Sequence, residues 1–179
     1  MGGQAFMHAT MSVDGFIAAA DGRIDFMAGY SGLPAGTAAE IIGSIGAVLV
    51  GRRGYDRGMM QGGQKVYGGS WTGPQFVLTH RPADHPPADP DVTFLSGGVR
   101  DAVATGLAAA GAKNLVVMGA NVAGQCLREG LIDEILIHQV PLLLGGGIPL
   151  FDGTGRVGLE PVSVTQTGDL ITSRFRVVH

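Results

Sequence analysis

The sequence predicts an α/β protein with a mostly parallel central sheet, flanking helices and an antiparallel hairpin at its C-terminal end. Short apolar runs that are typical of buried strands alternate with segments whose apolar residues recur at helical spacing. Residues 157–178 instead alternate apolar and polar side chains around a turn at 167–169. With 179 residues, 45% of them apolar, we expect residues 1–179 to form a single domain with a sizeable core.

The first half of the chain predicts three strands and one helix. The predicted strands cover residues 5–11, 47–50 and 75–79. The pair Asp14-Gly15 predicts a turn after the first strand, and Gly51 ends the second. The segment that begins at Thr37 and includes Glu40 resembles a capping box and predicts a helix over 37–45. The glycine-rich stretch 62–73 and the four prolines between 82 and 90 predict loops.

The second half predicts three more strands and two helices before the hairpin. The predicted strands cover residues 92–95, 114–118 and 134–144. Apolar residues at four-residue spacing from Val99 predict a helix over 98–110. Another helix follows Gly119 and ends near Gly130. Pro141 lies inside the predicted strand 134–144, and because proline has no N–H for a ladder, it indicates an edge strand or a bulge.

Composition argues against several classes of protein. The net charge is −3 and the cations are scattered, whereas nucleic-acid binders usually show a basic stripe. Cys126 is the single cysteine, which excludes an intrachain disulfide and a cysteine-cluster metal site, and its helical position predicts core packing. The five histidines lack metal-ligand spacing, so no metal site is predicted. We see no secretory signal and no membrane span, and we expect a cytoplasmic protein.

Three turns that follow predicted strands are candidate phosphate sites. They consist of Gly51, Arg52 and Arg53; of Thr79, His80 and Arg81; and of Gly119, Ala120, Asn121, Val122 and Ala123. Ligands of open α/β sheets bind beyond the carboxyl ends of the strands. The third turn opens a helix, whose free N–H groups and dipole favour a phosphate, and arginines at the other two add charge. Each turn alone is equally typical of an ordinary strand–helix turn, a solvated helix start or a capped loop, so the prediction depends on their joint occurrence.

Asp14 is the candidate for acid–base chemistry or for anchoring a substrate. If this carboxyl group is buried among its apolar neighbours, desolvation raises its pKa and makes it a plausible proton donor. The alternative is that Asp14 only forms a turn with Gly15. Asp25 is a second candidate, with a surface position as its alternative. The chain has no phosphate-binding loop with Lys and Ser/Thr and no nucleophile elbow, which argues against phosphoryl transfer and Ser-His-Asp chemistry.

Five short segments resemble the dihydrofolate-reductase-like superfamily. Within it they are most similar to the reductase domain of riboflavin biosynthesis, the C-terminal half of bacterial deaminase-reductases. The segments occur in the order of that family and span nearly the whole chain: 12–18 (SVDGFIA), 48–53 (VLVGRR), 77–79 (VLT), 116–119 (VVMG) and 141–147 (PLLLGGG). Two positions depart from the family, because Gly54 stands where a threonine is usual and Ala120 where a second glycine is usual.

The resemblance implies a dihydrofolate-reductase-like fold and NADPH as the hydride donor. It implies that residues 51–53 meet the cofactor phosphates, that residues 79–81 meet the adenosine 2′-phosphate, and that residues 119–123 hold the pyrophosphate. It further implies a substrate site at Ser12, Asp14, His138 and Gln139, with Asp14 as the catalytic residue and Pro141 on the far side. We expect a stand-alone NADPH-dependent oxidoreductase that acts as a homodimer on a small heterocycle, of the 5-amino-6-(5-phosphoribosylamino)uracil or dihydrofolate type. The alternative is a non-catalytic NADPH-binding or sensing module.

Overall fold

A computed structural model describes residues 3–28, 30, 35–60, 65–81, 87 and 89–179. The strands are β1 (Ala5–Ser12), β2 (Phe16–Ala18), β3 (Ile45–Gly51), β4 (Gln75–Leu78), β5 (Val92–Leu95), β6 (Asn114–Met118), β7 (Glu134–Val140), β8 (Ile148–Pro149), β9 (Gly158–Thr167) and β10 (Leu170–Val178). The helices are α1 (Ala35–Gly43), α2 (Arg52–Met60), α3 (Val99–Ala110) and α4 (Ala120–Arg128). Short 3-10 turns lie at Asp25–Met27 and Val66–Gly69.

The described residues form an eight-stranded sheet in the order β5-β4-β3-β6-β1-β7-β10-β9. The first six strands in this order are parallel to one another, whereas β10 is antiparallel to β7 and β9 is antiparallel to β10. A separate pair, β2 with β8, packs beside the end of β1. The predicted fold class is therefore confirmed, including the antiparallel hairpin at the end of the chain.

Each face of the sheet carries its own apolar cluster because side chains alternate along the strands. On one face, Met7, Leu49 and Leu115 pack against α3 and α4, where the thiol of Cys126 is fully buried as predicted. On the other face, residues such as Val48 and Val116 pack against Trp71 and the apolar side of α1. The two faces are thus covered by different helices, and the second face holds the cavity described below.

The prediction for residues 134–144 is wrong in two respects. Strand β7 ends at Val140, because Pro141 has no N–H for a ladder and the chain turns there, with the N–H of Leu142 donating to the carbonyl of Val140 at 2.8 Å. Pro141 therefore makes no bulge within the strand. β7 is also not an edge strand, since it pairs with β1 on one side and with β10 on the other, and β9 is the edge.

Other elements differ from the sequence prediction in smaller ways. Helix α1 begins at Ala35, so Thr37 lies inside the helix and the predicted capping box is wrong. Helix α2 was not predicted, because its sequence contains two glycines and three arginines and lacks an apolar stripe. The pair β2–β8 is too short to show a pattern. Residues 62–64 of the predicted loop 62–73, and residues 82–86 and 88 of the proline-rich connection, lie outside the described residues.

Within the described ranges, no helix has both the length and the apolar composition that crossing a membrane requires.

Candidate functional site

The three candidate turns lie at one edge of the sheet, as predicted. They follow β4, β3 and β6, which are consecutive parallel strands. Gly51 pairs with Leu78 and Val50 pairs with Met118, so all three strands end at nearly the same level. Because neighbouring strands are about 4.8 Å apart, the three turns start within about 10 Å of one another. We call residues 51–53, 79–81 and 119–123 the strand-end turns.

Gly119 begins the turn that best suits an anion. Its backbone has φ 88° and ψ 135°, a conformation that L side chains rarely adopt, and the space where a Cβ would stand is open. The first bond within α4 runs from the N–H of Ala123 to the carbonyl of Gly119. The N–H groups of Ala120, Asn121 and Val122 therefore have no acceptor within the helix and are available to an anion.

Gly51 brings a second turn against the start of α4. A Cβ placed on Gly51 would come within 3.1 Å of Cγ2 of Val122. The turn between β3 and α2 therefore touches the first turn of α4 directly. A residue larger than glycine at position 51 would push the two turns apart.

The two arginines that follow Gly51 differ in their surroundings. Nε of Arg52 donates to Oδ1 of Asp56 at 2.6 Å, and its guanidinium group lies 4.8 Å from the centre of the Phe94 ring. These contacts hold Arg52 along α2 and partly offset its charge. Arg53 is exposed to solvent. Of this pair, Arg53 therefore offers the more available charge to a phosphate.

The turn after β4 presents His80 and Arg81 to solvent. Thr79 is buried, and its Oγ1 accepts a hydrogen bond from the N–H of Arg81 at 3.1 Å and lies 3.0 Å from the carbonyl oxygen of Arg81. The threonine hydroxyl is thus engaged in shaping the turn. His80 and Arg81 are both exposed. Thr79 therefore positions the other two side chains, which are the ones that can meet a ligand.

A cavity of about 380 Å³ lies next to the strand-end turns, on the face covered by α1. Apolar side chains such as Ile41, Met118 and Val140 form much of its wall. Met118 is the residue immediately before Gly119, so the cavity and the start of α4 share a wall. The volume is in the range of small-molecule sites.

Buried polar side chains line the same cavity. Nδ1 of His8 lies 2.6 Å from the hydroxyl of Tyr67, and Nδ1 of His138 lies 2.8 Å from Oγ1 of Thr172. The two imidazole rings meet edge to face, with their centres 4.9 Å apart. His138 was predicted at the substrate site, whereas His8 and Tyr67 were not. No local pattern points to His8 or Tyr67, because they come from β1 and from the turn at 66–69, which only the fold brings together.

The imidazoles of this cluster are uncharged at neutral pH. Burial, with a further contribution from the neighbouring His138, lowers the pKa of His8 to about 3. Burial also lowers the pKa of His138 and raises that of Tyr67. The cavity therefore presents neutral rings and hydroxyl groups.

Asp14 does not have the environment that a proton donor needs. The carboxylate is exposed, Oδ1 accepts from Oγ of Ser12 at 2.6 Å and from the N–H of Leu144 at 3.0 Å, and Oδ2 accepts from the N–H of Gly145 at 2.8 Å. The hydrogen bond from Ser12, followed by those from the two backbone N–H groups, holds the pKa of Asp14 below its usual value. The condition for a raised pKa, burial of this carboxyl group, is therefore not met, and the exposed position fits the alternative of a turn with Gly15. Asp14 ties the loop after β7 to the end of β1.

The other predicted substrate residues are divided by the fold. His138 lines the cavity, whereas Ser12, Asp14 and Gln139 do not. Gln139 follows His138 in a strand and so projects from the opposite face of the sheet. Met7 pairs with Val117, so Ser12 lies about 13 Å along β1 beyond the level of Met118, at about 3.3 Å per residue. Among the described residues, no group of three His, Cys, Asp or Glu side chains is placed to hold a metal ion.

Comparison with known proteins gives a consistent result. A family model described as the RibD C-terminal domain matches residues 5–172. The uncharacterized protein YwjB of Bacillus subtilis (strain 168) is 28% identical over 145 residues, which is 81% of this chain and 80% of that protein. A solved structure from Shewanella sp. PV-4, which carries the provisional name riboflavin biosynthesis protein, is 25% identical with a TM-score of 0.82 and 100% of each chain covered.

A second solved structure shows the same fold within a longer protein. It is the diaminohydroxyphosphoribosylaminopyrimidine deaminase/5-amino-6-(5-phosphoribosylamino)uracil reductase of Thermotoga maritima, with a TM-score of 0.71 and 15% identity. The alignment covers 99% of this chain and 57% of that one, so this chain is similar to a little over half of the Thermotoga protein.

Proposed function

This chain belongs to the family of the RibD C-terminal domain, and on that premise we propose that it is an NADPH-dependent reductase of a small heterocyclic compound. The observation that carries the proposal is the wall shared by the cavity and the start of α4. Met118 lines the cavity, and the next residue, Gly119, opens the turn whose free N–H groups suit an anion. A dinucleotide bound at the strand-end turns would therefore lie beside a ligand in the cavity.

The residues present fit the cofactor. The open space at Gly119 and the N–H groups of residues 120–122 suit a pyrophosphate. Arg53 is an exposed cation for the same group, and His80 and Arg81 are exposed on the neighbouring turn, where they suit an adenosine 2′-phosphate. When bound, NADPH supplies a hydride. The contacts of these residues with NADPH remain predictions.

The contribution of the chain itself is placement, which is what a protein adds to cofactor chemistry. The apolar wall and α1 enclose a flat molecule, and the uncharged imidazoles of His8 and His138 offer hydrogen bonds that orient it. Asp14 acts at a distance as a positioning residue, since it holds the backbone of Leu144 and Gly145 in place.

One observation favours the alternative of a non-catalytic NADPH-binding or sensing module. None of the described residues that line the cavity is an acid, and both imidazoles there are uncharged. A reductase then takes its proton from water or from a hydroxyl group of the wall or substrate. Oxidation of NADPH in the presence of candidate heterocycles separates the two functions, because only a reductase gives turnover.

The cofactor assignment is tested by titrating the protein with NADPH and with NADH while following nucleotide fluorescence. We expect Arg81→Ala to weaken NADPH about tenfold, which corresponds to about 1.4 kcal/mol, and to leave NADH unchanged. Arg176→Ala is the matched control, because Arg176 is also an exposed arginine. It pairs with Glu134 at the start of β7, and so lies at the end of the sheet opposite to the strand-end turns. An equal loss for both nucleotides, or no binding of either, would contradict the assignment.

We also propose that the protein forms a homodimer through the edge of its sheet. Strand β9 is exposed along almost its whole length and carries apolar side chains, among them Val164, which is 64% exposed. An open edge with apolar side chains favours pairing with another chain. Sedimentation at micromolar concentration should give a dimer, and a monomer there would refute the proposal.

A further inference from the structure

Among the described residues that line the cavity, one has a buried ring nitrogen without a hydrogen-bond partner. Nδ1 of His138 is bonded to Thr172 on the neighbouring strand β10, and this leaves the other ring nitrogen, Nε2, directed away from that strand. Nε2 is buried, and the described residues supply no hydrogen bond to it. A buried hydrogen-bonding group without a partner destabilises the protein. A ligand that reaches Nε2 recovers part of this cost.

The described lining of the cavity also offers a ligand no charged partner. None of its described lining residues is Asp, Glu, Lys or Arg. An anionic ligand would lose its hydration in this cavity without gaining a cation.

We propose that His138 determines the specificity of the cavity, and that the ligand is an uncharged flat heterocycle that places one hydrogen-bonding atom against Nε2. Nε2 acts as donor or acceptor according to which ring nitrogen carries the proton, and the hydroxyl of Thr172 can pair with Nδ1 in either case, so Nε2 can meet a ligand donor or a ligand acceptor. The inference rests on the proposed function in that it takes this cavity for the substrate site. It also restricts that function, because a phosphorylated substrate would have to keep its phosphate outside the cavity.

His8 contributes to the same binding site by packing against His138. Its ring packs edge to face on His138, and the hydroxyl of Tyr67 holds its Nδ1. Nε2 of His138 is closed to solvent in this arrangement, so a ligand atom reaches it only when neighbouring side chains shift. The recovered hydrogen bond then favours ligands with a polar ring atom over apolar rings of the same size.

The test uses the full chain without nucleotide and three probes of similar size: uracil, orotate and toluene. Orotate is uracil with a carboxylate, so this pair isolates charge, whereas toluene isolates the hydrogen bond. Protein with 15N-labelled histidine is titrated with each probe by NMR. We expect uracil to shift the Nε2 resonance of His138, to leave that of the exposed His80 unchanged, and to bind at least tenfold more tightly than orotate.

Two variants complete the test. His138→Leu should weaken uracil about tenfold and leave toluene unchanged, and retained toluene binding shows that the cavity is intact. His138→Gln, which keeps a polar group, should restore part of the affinity for uracil. Orotate binding as tightly as uracil, or no change at Nε2 at the highest soluble uracil concentration, would overturn the proposal. The wild-type titration decides the matter even if a variant does not fold.

NADPH binding and oxidation are measured separately. Binding of uracil at Nε2 without turnover would leave this inference standing and remove the reductase function. Turnover of NADPH with no response at Nε2 would support the reductase function and overturn this inference.

Discussion

The strand-end turns and the cavity use opposite physical means, although they meet at Met118 and Gly119. The strand-end turns offer exposed cations and backbone N–H groups that have no acceptor within α4. The cavity offers neutral imidazoles and hydroxyl groups inside an apolar wall. A charge in the cavity would pay a large desolvation cost, whereas a neutral ring pays little. On the proposed function, the chain would bind an anion in one region and an uncharged ring in the other.

This difference makes the two regions sensitive to different changes. The strand-end turns depend on Gly119, whose backbone conformation only glycine adopts easily, and on the close approach of Gly51 to Val122, so we expect substitutions at these two glycines to disturb them. The cavity depends on buried rings that stay neutral, so we expect acid to disturb it.

The largest expected effect is a loss of stability in acid, caused by the buried imidazole of His8. In the unfolded chain this ring takes up a proton near pH 6.5, and in the folded chain only near pH 3, because of burial and the neighbouring His138. Between these values the unfolded state binds more protons, so the free energy of unfolding falls as the pH is lowered through this window. The loss from this group is on the order of 5 kcal/mol once the pH has passed below 3.

Urea unfolding between pH 7 and pH 4 measures this dependence. His8→Gln removes the titrating ring and keeps a hydrogen-bonding group for Tyr67, and it should flatten the profile. His80→Gln, at an exposed position, is the matched control and should follow the wild type. If His8→Gln kept the full slope, burial of this ring would not be its cause, and the contrast between the two regions would weaken.

The next largest effect is expected at Gly119. Its backbone conformation costs a residue with a Cβ about 1–3 kcal/mol, and since the space around it is open, strain is the whole of the penalty. Gly119→Ala should lower stability by this amount, weaken NADPH at least tenfold, and leave uracil binding in the cavity within a factor of about 2–3.

Gly98 provides the matched control for this change. It also precedes a helix and has open space for a Cβ, but its φ is −71°, which any residue adopts. Gly98→Ala should therefore change neither stability nor nucleotide affinity appreciably. Equal behaviour of the two variants in fluorescence titration and urea unfolding would show that the conformation of Gly119 has no special role.

The strand-end turns could be predicted from the sequence because each is a local pattern. Gly51 and Gly119 follow apolar runs directly, and the rule that parallel strands end at one edge brings the turns together without any knowledge of packing. The bounds of β5 and β6 were predicted to the residue for the same reason.

The cavity could be predicted only in part because its polar residues are far apart in the chain. His8, Tyr67, His138 and Thr172 come from separate elements, and their contacts depend on strand order and register. Of these four residues, only His138 was predicted from the sequence, and that prediction came from the family resemblance. For Asp14 the sequence left burial and a turn with Gly15 open, and the fold decides between them by placing the carboxylate at an exposed turn.

The smallest effect is expected at Asp14, which lies outside both regions. Its carboxylate holds the loop after β7 through Leu144 and Gly145, and its pKa is lowered from 3.8, first by the hydrogen bond from Ser12. The stabilisation it gives is therefore fully present above pH 3.8 and is lost as the pH falls through the lower pKa of the folded state.

Asp14→Asn keeps only part of these hydrogen bonds, so it should lower the urea midpoint slightly at pH 7, and the difference from the parent should narrow in acid. The parent and the Asp14→Asn variant both carry His8→Gln, so that titration of the buried His8 ring does not mask the change in the urea midpoint. Asp152→Asn, at another exposed aspartate, is the matched control and should have the midpoint of the parent at every pH. NADPH affinity should be unchanged, because Asp14 is remote from the strand-end turns. A midpoint that does not move would mean that these exposed hydrogen bonds do not hold the loop, and a lost affinity for NADPH would mean that the end of β1 and the strand-end turns act as one region.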